Sequence, residues 1–203
     1  MTKTEMKLPE ITTLEGTSVR LEPLSQARAG ELAEACEDGK LYDLWYTWVP
    51  SPDRMNADIE RRLGLYAAGS MIPFATVDKT SGKAIGMTTF MNVKLENRKV
   101  EIGSTWLAKS YQGTAINPEA KLLMLGYAFE SLECNAVELR THEQNLQSRA
   151  AIEKLGAKLD GILRNDMVMA NGTIRNTAVY SITKDEWPTV RDALTARISK
   201  HLK

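Results

Sequence analysis

The sequence predicts one α/β domain of the α+β kind: a mixed, mostly antiparallel central sheet of about seven strands, flanked by helices. Three observations carry this. Apolar spacing switches between period two and period 3.6 in the order β α α β β β α β α β β α. Three of the strands follow one another with only short turns between them, as in an antiparallel meander. Strand and helix then alternate, which places helices on the faces of a mixed sheet.

The elements follow in order. Residues 1–13 are polar and aperiodic and read as a loose arm. Residues 14–203 read as a single domain, because no Pro/Gly/Ser-rich linker divides them. Residues 17–24 form a strand, with Val19 and Leu21 alternating against Ser18, Arg20 and Glu22. Ser25 is placed to cap a helix carrying Ala29, Leu32, Ala33 and Cys36 at helical spacing, and Gly39 stops it. Residues 41–52 crowd together Tyr42, Trp45, Tyr46 and Trp48. A second helix runs from Asp53, with Ile59, Leu63, Tyr66 and Ala67 on its apolar face, to Gly69.

Residues 73–78, 84–93 and 99–107 are the meander, turned at Thr80-Ser81-Gly82 and Leu95-Glu96-Asn97. Asn117 as N-cap and Pro118 at the first helical position open a third helix, which carries Ala120, Leu123, Leu125, Ala128, Phe129 and Leu132. Val137, Leu139 and Thr141 alternate as a strand. Asn145 caps a helix that buries Leu146, Ala150, Ile152 and Leu155 and stops at Gly156. A hairpin turns at Asn171-Gly172. Thr183 and Glu186 have capping-box spacing for a C-terminal helix from about residue 184.

Composition excludes several classes of function. Twenty-six Lys+Arg balance 26 Asp+Glu, so the formal net charge is +0. Neither a nucleic acid nor an anionic membrane finds the cationic surplus that drives such binding. No apolar run reaches the roughly 18–20 residues of a membrane span, and MTKTEMKLPE carries no apolar signal core. Cys36 and Cys134 read as reduced thiols of a cytoplasmic protein. No Cys/His cluster has metal-ligand spacing, so no metal is expected.

The informative segment is KVEIGSTWLAKSYQGTAIN, residues 99–117. A strand ends at Leu107, a loop of small residues follows, and a helix opens. Small residues let main chain approach a ligand, and a helix start offers unpaired N–H groups with partial positive charge, a combination suited to phosphate. The sequence lacks the Gly-Lys-[Ser/Thr] ending of a Walker loop and the three-glycine dinucleotide fingerprint.

From Leu14 to Trp187 the chain resembles the GNAT superfamily of acyl-CoA-dependent N-acyltransferases, in particular its RimJ/RimL-like branch. The likeness rests on Glu101-Ile102-Gly103-Ser104-Thr105-Trp106-Leu107 and on Gln112-Gly113-Thr114-Ala115-Ile116-Asn117-Pro118-Glu119-Ala120-Lys121. Asn145-Leu146-Gln147-Ser148-Arg149, Ile152-Glu153-Lys154-Leu155-Gly156-Ala157 and a strand centred on Gly161 extend it. The superfamily's phosphate loop runs Gln/Arg-x-x-Gly-x-Gly/Ala. Here Ala115 and Asn117 stand at the fourth and sixth positions, and Ala115 would resist a positive φ by on the order of 1 kcal/mol.

The resemblance implies acetyl-CoA as co-substrate, bound where strands 99–107 and 135–142 splay apart. Main chain at Thr105, Trp106 and Leu107 would meet the pantetheine arm and offer an oxyanion donor. Amides of Gln112, Gly113, Thr114, Ala115, Ile116 and Asn117 would hold the pyrophosphate, and Asn145 would touch the cofactor. Ser148 would protonate, or hydrogen-bond, the leaving sulfur, and Glu101 would act as base, directly or through water. Trp45, Tyr46, Trp48 and His142 would line the acceptor pocket, with His142 titrating near neutrality. The expected acceptor is a small-molecule amine or a peptide N-terminus. Use of another acyl-CoA such as succinyl-CoA, a non-catalytic CoA-binding regulatory module, and a homodimer are the alternatives and addition.

Overall fold

The computed structural model describes residues 11–201, so the first ten residues of the expected arm lie outside the described residues. The strands are β1 (Leu14–Glu15), β2 (Val19–Pro23), β3 (Met71–Asp78), β4 (Ala84–Lys94), β5 (Lys99–Leu107), β6 (Ala136–His142), β7 (Lys158–Val168) and β8 (Ile174–Thr183). The helices are α1 (Ala29–Glu37), α2 (Met55–Ala67), α3 (Ile116–Gly126), α4 (Leu146–Glu153) and α5 (Trp187–His201). The element order is the expected one, with a single addition. A two-residue strand, β1, precedes the first expected strand and pairs with it as a tight hairpin, so the sheet has eight strands among the described residues. The hairpin turn is held by the buried Glu119 carboxylate, which accepts the main-chain N–H of Thr17 and, at 3.0 Å, that of Ser18.

The strands lie in the order β1-β2-β3-β4-β5-β6-β8-β7. Every pairing is antiparallel except β5–β6, which α3 connects as a crossover. That parallel pair is matched only at Lys99/Ala136, Val100/Val137 and Glu101/Glu138. Beyond Glu101, β5 stays with β4 as far as Leu107, while β6 stays with β8 as far as His142. The two strands therefore part, as expected. A bulge in β5 contributes to the parting: Gly103 faces Thr89 and Trp106 faces Met87, and Ser104 between them has φ 48°. The extra residue bends the strand and increases its twist.

The core lies in two clusters. One holds Val19, Phe74, Phe90, Ile102, Leu125, Val137, Leu139 and Tyr180, beneath α3 and α5. The other holds Leu32, Cys36, Ile59, Val77, Met87 and Trp106, beneath α1 and α2. Because strand side chains alternate, the face opposite Val137 and Leu139 carries Glu138, Arg140 and His142 of β6. Thr177, paired with His142, and Arg175 of β8 share that face.

Local details differ from expectation for identifiable reasons. The buried face of α2 is Met55, Asp58, Ile59 and Arg62, not the stripe through Leu63 and Tyr66. The Arg62 side chain is fully buried because the β5 bulge offers it hydroxyl partners. Helix α3 begins at Ile116 rather than after Asn117, since the Thr114 hydroxyl accepts the Ile116 N–H at 3.3 Å. Asn117 and Pro118 thus lie inside the first turn. Leu146, expected to be buried, is 71% exposed, because α4 packs through Ile152 and Leu155 at its other end. Asn145 caps α4 as expected, its Oδ1 accepting the Ser148 N–H at 3.0 Å. Glu186 accepts the Thr183 N–H at 2.9 Å, half of the expected box, and α5 opens at Trp187. Cys36 and Cys134 are separate buried free thiols.

Candidate active site

The gap between β5 and β6 opens toward the loop before α3. Within that loop the Gln112 side-chain amide donates to the Leu107 carbonyl at 3.0 Å, and the Thr114 hydroxyl donates to the Tyr111 carbonyl at 2.8 Å. Gly113 turns the chain with φ 78°. The main-chain N–H groups of Gly113, Thr114, Ala115 and Asn117 meet no acceptor among the described residues. They cluster at the positive end of an 11-residue helix. The fit to a phosphate group rests on several uncommitted donors at one helix start. Ala115 has φ −67° and ψ −18°, ordinary right-handed geometry. The expected strain at Ala115 is therefore absent, because Gly113 alone makes the left-handed turn.

The β5 bank of the gap offers main chain rather than side chains. Thr105 turns its hydroxyl toward α3, where it lies 2.7 Å from the Thr88 hydroxyl and 2.8 Å from Lys121 Nζ. Lys121 Nζ also donates to Thr88 Oγ1 at 3.2 Å. Lys121 is buried with no carboxylate beside it among the described residues, and burial pushes its pKa down to about 7. Trp106 packs into the α1/α2 cluster and its indole N–H is buried without a partner. Leu107 packs beneath α3.

The bulge on this bank is clamped from below. Arg62 donates to Ser104 Oγ at 2.7 Å, to Thr89 Oγ1 at 3.0 Å and to Asp58 Oδ2 at 2.6 Å. Burial pushes the Asp58 carboxyl up, but Arg62 and Arg61 pull it further down, so it stays ionised. This clamp was not found in the sequence. An Asp and an Arg four residues apart on a helix ordinarily read as an exposed pair.

On the polar face beyond the bulge, Glu101 is buried. Its Oε2 accepts Asn92 Nδ2 at 2.7 Å and lies 3.5 Å from Arg140 Nε. Burial raises its pKa, and the bond from Asn92 and the charge of Arg140 oppose the rise. Asn92 reaches it because a left-handed φ of 46° turns β4 at that point. Gly103 leaves room for the carboxylate: a Cβ there would come within 2.9 Å of Glu101 Oε1. Arg140 also pairs with Glu138 at 2.9 Å, and Lys99 takes the other Glu138 oxygen.

His142 ends β6, buried. Its Nδ1 accepts the Gln144 N–H at 3.1 Å, which leaves the ring proton on Nε2. Burial, and then the charge of Arg175, push its pKa below the ordinary value. With Nδ1 engaged as an acceptor, the imidazole presents its Nε2–H as a donor. Trp45 stands edge-on to His142, ring centroids 5.1 Å apart, and Trp45 meets Tyr46 at 5.6 Å. The aromatic segment thus reaches the end of β6. Trp48 is 63% exposed and makes no aromatic contact among the described residues, while the Tyr42 hydroxyl is engaged with Glu37. Ser148 lies in the first turn of α4, half-buried, with no partner for its hydroxyl among the described residues. Asn145 spends its Oδ1 on the cap and keeps its amide free.

A mixed sheet whose one parallel pair splays, with a main-chain anion cradle at the start of the crossover helix, defines an acyl-CoA-type fold. The chain belongs to the acetyltransferase (GNAT) domain family, whose sequence profile matches residues 18–158. The structure superposes on a GCN5-related N-acetyltransferase from Brucella melitensis with a TM-score of 0.83 and 30% identity, over 94% of this chain and 86% of that one. The fold is shared with Mycobacterium smegmatis RimJ, solved in complex with CoA-disulfide, at a TM-score of 0.76 and 21% identity over 88% of each chain. Among curated proteins, the chain is 38% identical over 106 residues to Bacillus subtilis YdaF, provisionally named a ribosomal N-acetyltransferase. That match covers 52% of this chain and 57% of YdaF. With a second Bacillus subtilis relative it covers 65%, so the matches span less than two thirds of either protein.

Proposed function

We propose that the chain is an N-acetyltransferase that moves the acetyl group of acetyl-CoA to a primary amine, either a small molecule or the N-terminus of a peptide. One coincidence carries the reading. In a chain of the GNAT family, the splayed β5–β6 pair ends beside four uncommitted main-chain donors at the start of α3. The RimJ complex with CoA-disulfide supports the ligand class, and the name of YdaF supports a ribosomal-protein acceptor. The loop departures that would favour a non-catalytic module lose their force, since Ala115 sits in unstrained geometry.

Acetyl-CoA supplies an activated acyl group as a thioester. The residues of this chain do the rest. The N–H groups at positions 113, 114, 115 and 117 hold the diphosphate, and main chain at 105–107 orients the pantetheine arm. A main-chain N–H of the same strand faces the oxyanion that develops on the acetyl carbonyl. Glu101 takes the amine proton through its free Oε1, directly or through one water, as the C–N bond forms. The Ser148 hydroxyl donates a hydrogen bond to the sulfur as the C–S bond breaks, and the departing thiolate takes its proton from water. His142, with its proton on Nε2, donates to the acceptor, and Trp45 and Tyr46 wall it. Freeing an α-amine of pKa ~8 costs about 1–1.5 kcal/mol at neutral pH, against roughly 4–5 kcal/mol for a lysine amine. A moderately basic carboxylate therefore suits a peptide N-terminus.

The test is acetyl transfer from acetyl-CoA to a panel of small amines and short peptides, read as thiol release together with the acetylated product by mass. Product on at least one acceptor is expected. No thiol release above the enzyme-free rate with any acceptor overturns the reading.

A further inference from the structure

We infer that Arg175 is the anion subsite of the acceptor pocket, and that the preferred acceptor carries a carboxylate close to its amine. This rests on the acetyltransferase reading above and names a substrate class for it. On the open polar face of the sheet, the neighbouring cations are committed. Arg140 bridges Glu138 and Glu101, at 2.9 and 3.5 Å, and Lys99 pairs with Glu138. Arg175 has no carboxylate within 4.0 Å among the described residues. Its one hydrogen bond runs from Nε to Thr177 Oγ1, at 2.9 Å. Thr177 is buried and is paired across the sheet with His142. That bond fixes the plane of a half-buried guanidinium and leaves both Nη groups free, the fork that receives a carboxylate in a bidentate manner.

The groups around Arg175 are consistent with this role. Its charge is felt by Glu101 and His142, and its own titration responds to Asp166, Glu101 and Arg140. Burial costs the guanidinium, and the two carboxylates only offset that from a distance. Asp166, on the exposed β7, and Glu101 are the carboxylates whose charge reaches Arg175 among the described residues, and neither pairs with it. A zwitterionic acceptor fits the arrangement: its amine lies toward Glu101, which takes the proton, and its carboxylate lies toward Arg175. A neutral amine leaves the fork without a partner.

The carboxylate can belong to a free amino acid or to an acidic side chain near a peptide N-terminus. The experiment separates these sources with matched pairs: glutamate against glutamine, each as free acid and as amide, and tripeptide amides with Glu or Gln at the second position. The wild-type protein is expected to favour the carboxylate member of at least one pair by tenfold or more in kcat/KM. In Arg175→Gln this preference should disappear through a rise in KM for the carboxylate members, with acetyl-CoA affinity by calorimetry unchanged. Should Arg175→Gln not fold, Arg175→Lys carries the test, because it keeps the charge and loses the fork. A preference undiminished in the folded variant overturns the subsite. Wild-type turnover of neutral amines with no carboxylate preference overturns the subsite and leaves the acetyltransferase reading standing. No transfer to any member of the panel overturns both.

Discussion

Two buried ionisable side chains, Glu101 and Lys121, have pKa values displaced by the same cause in opposite directions. Burial raises the Glu101 carboxyl, only partly opposed by Asn92 and Arg140, and lowers the Lys121 amine to about 7. For Glu101 the consequence is kinetic. A general base must be deprotonated, so kcat/KM should fall on the acid side, with a limb above the ordinary carboxylate range. Glu101→Gln should lower kcat by on the order of a hundredfold and remove that limb, with little change in acetyl-CoA affinity. A pH–rate profile whose acid limb survives the substitution excludes Glu101 as base. For Lys121 the consequence is thermodynamic. The unfolded chain takes up this proton near 10.5 and the folded chain only near 7. Between those values the unfolded state binds more protons, so stability rises with pH across that window. Lys121→Met should flatten this slope and raise stability at pH 7 by on the order of 1 kcal/mol, since Thr88 and Thr105 still bond each other. Urea unfolding from pH 6.5 to 9.5 reads it, and equal slopes in both proteins would refute the displaced amine.

At the scale of elements, the loop into α3 shows which sequence departures matter. Gly113 has φ 78° with open space where a Cβ would stand, so Gly113→Ala is opposed by backbone conformation alone. The cost is about 1–2 kcal/mol, and the N–H cradle should rotate away from its ligand. Acetyl-CoA affinity should fall several-fold or more by calorimetry. Ala115→Gly, which restores the family's usual residue, should leave affinity within about twofold, because Ala115 is already helical. The opposite ranking would show that the ligand selects a different loop conformation. The loop's position was legible because a strand, small residues and a helix start adjoin in sequence. Its conformation was not, since the same residues allow the helix to open at Ile116 or after Asn117, and the Thr114 hydroxyl decides. Helix α2 shows the converse limit. Its periodicity located the helix, but the burial of Asp58 and Arg62 depends on a β5 bulge 42 residues further along the chain from Arg62. Apolar spacing carries no trace of such a contact.

For the whole molecule, the order of elements was legible because each has its own period and punctuation. The splay required a known relation between β5 and β6, which no local pattern encodes. In the structure the sheet is two antiparallel halves, β1–β5 and β6–β8, joined through three register pairs and through helices packed beneath. The facing edges of β5 beyond Glu101 and of β6 beyond Glu138 lack each other as partners. A ligand seated between them acts as a substitute strand for both halves, whereas one held only by the α3 cradle touches one end of the gap. Hydrogen exchange separates these cases. Acetyl-CoA should slow exchange in residues 102–107 and 139–142 together with residues 113–117, and protection of 113–117 alone would mean that the gap is not the pantetheine channel. The same binding should stabilise the fold by about 2.7 kcal/mol at a hundred times the dissociation constant. For a chain of this length that corresponds to a rise in melting temperature of roughly 5–10 °C. Because the ligand joins halves that otherwise meet at three pairs, the rise should come as one transition moving upward. A first transition left in place beside a shifted second one would show that the halves unfold independently and that the ligand grips only one of them.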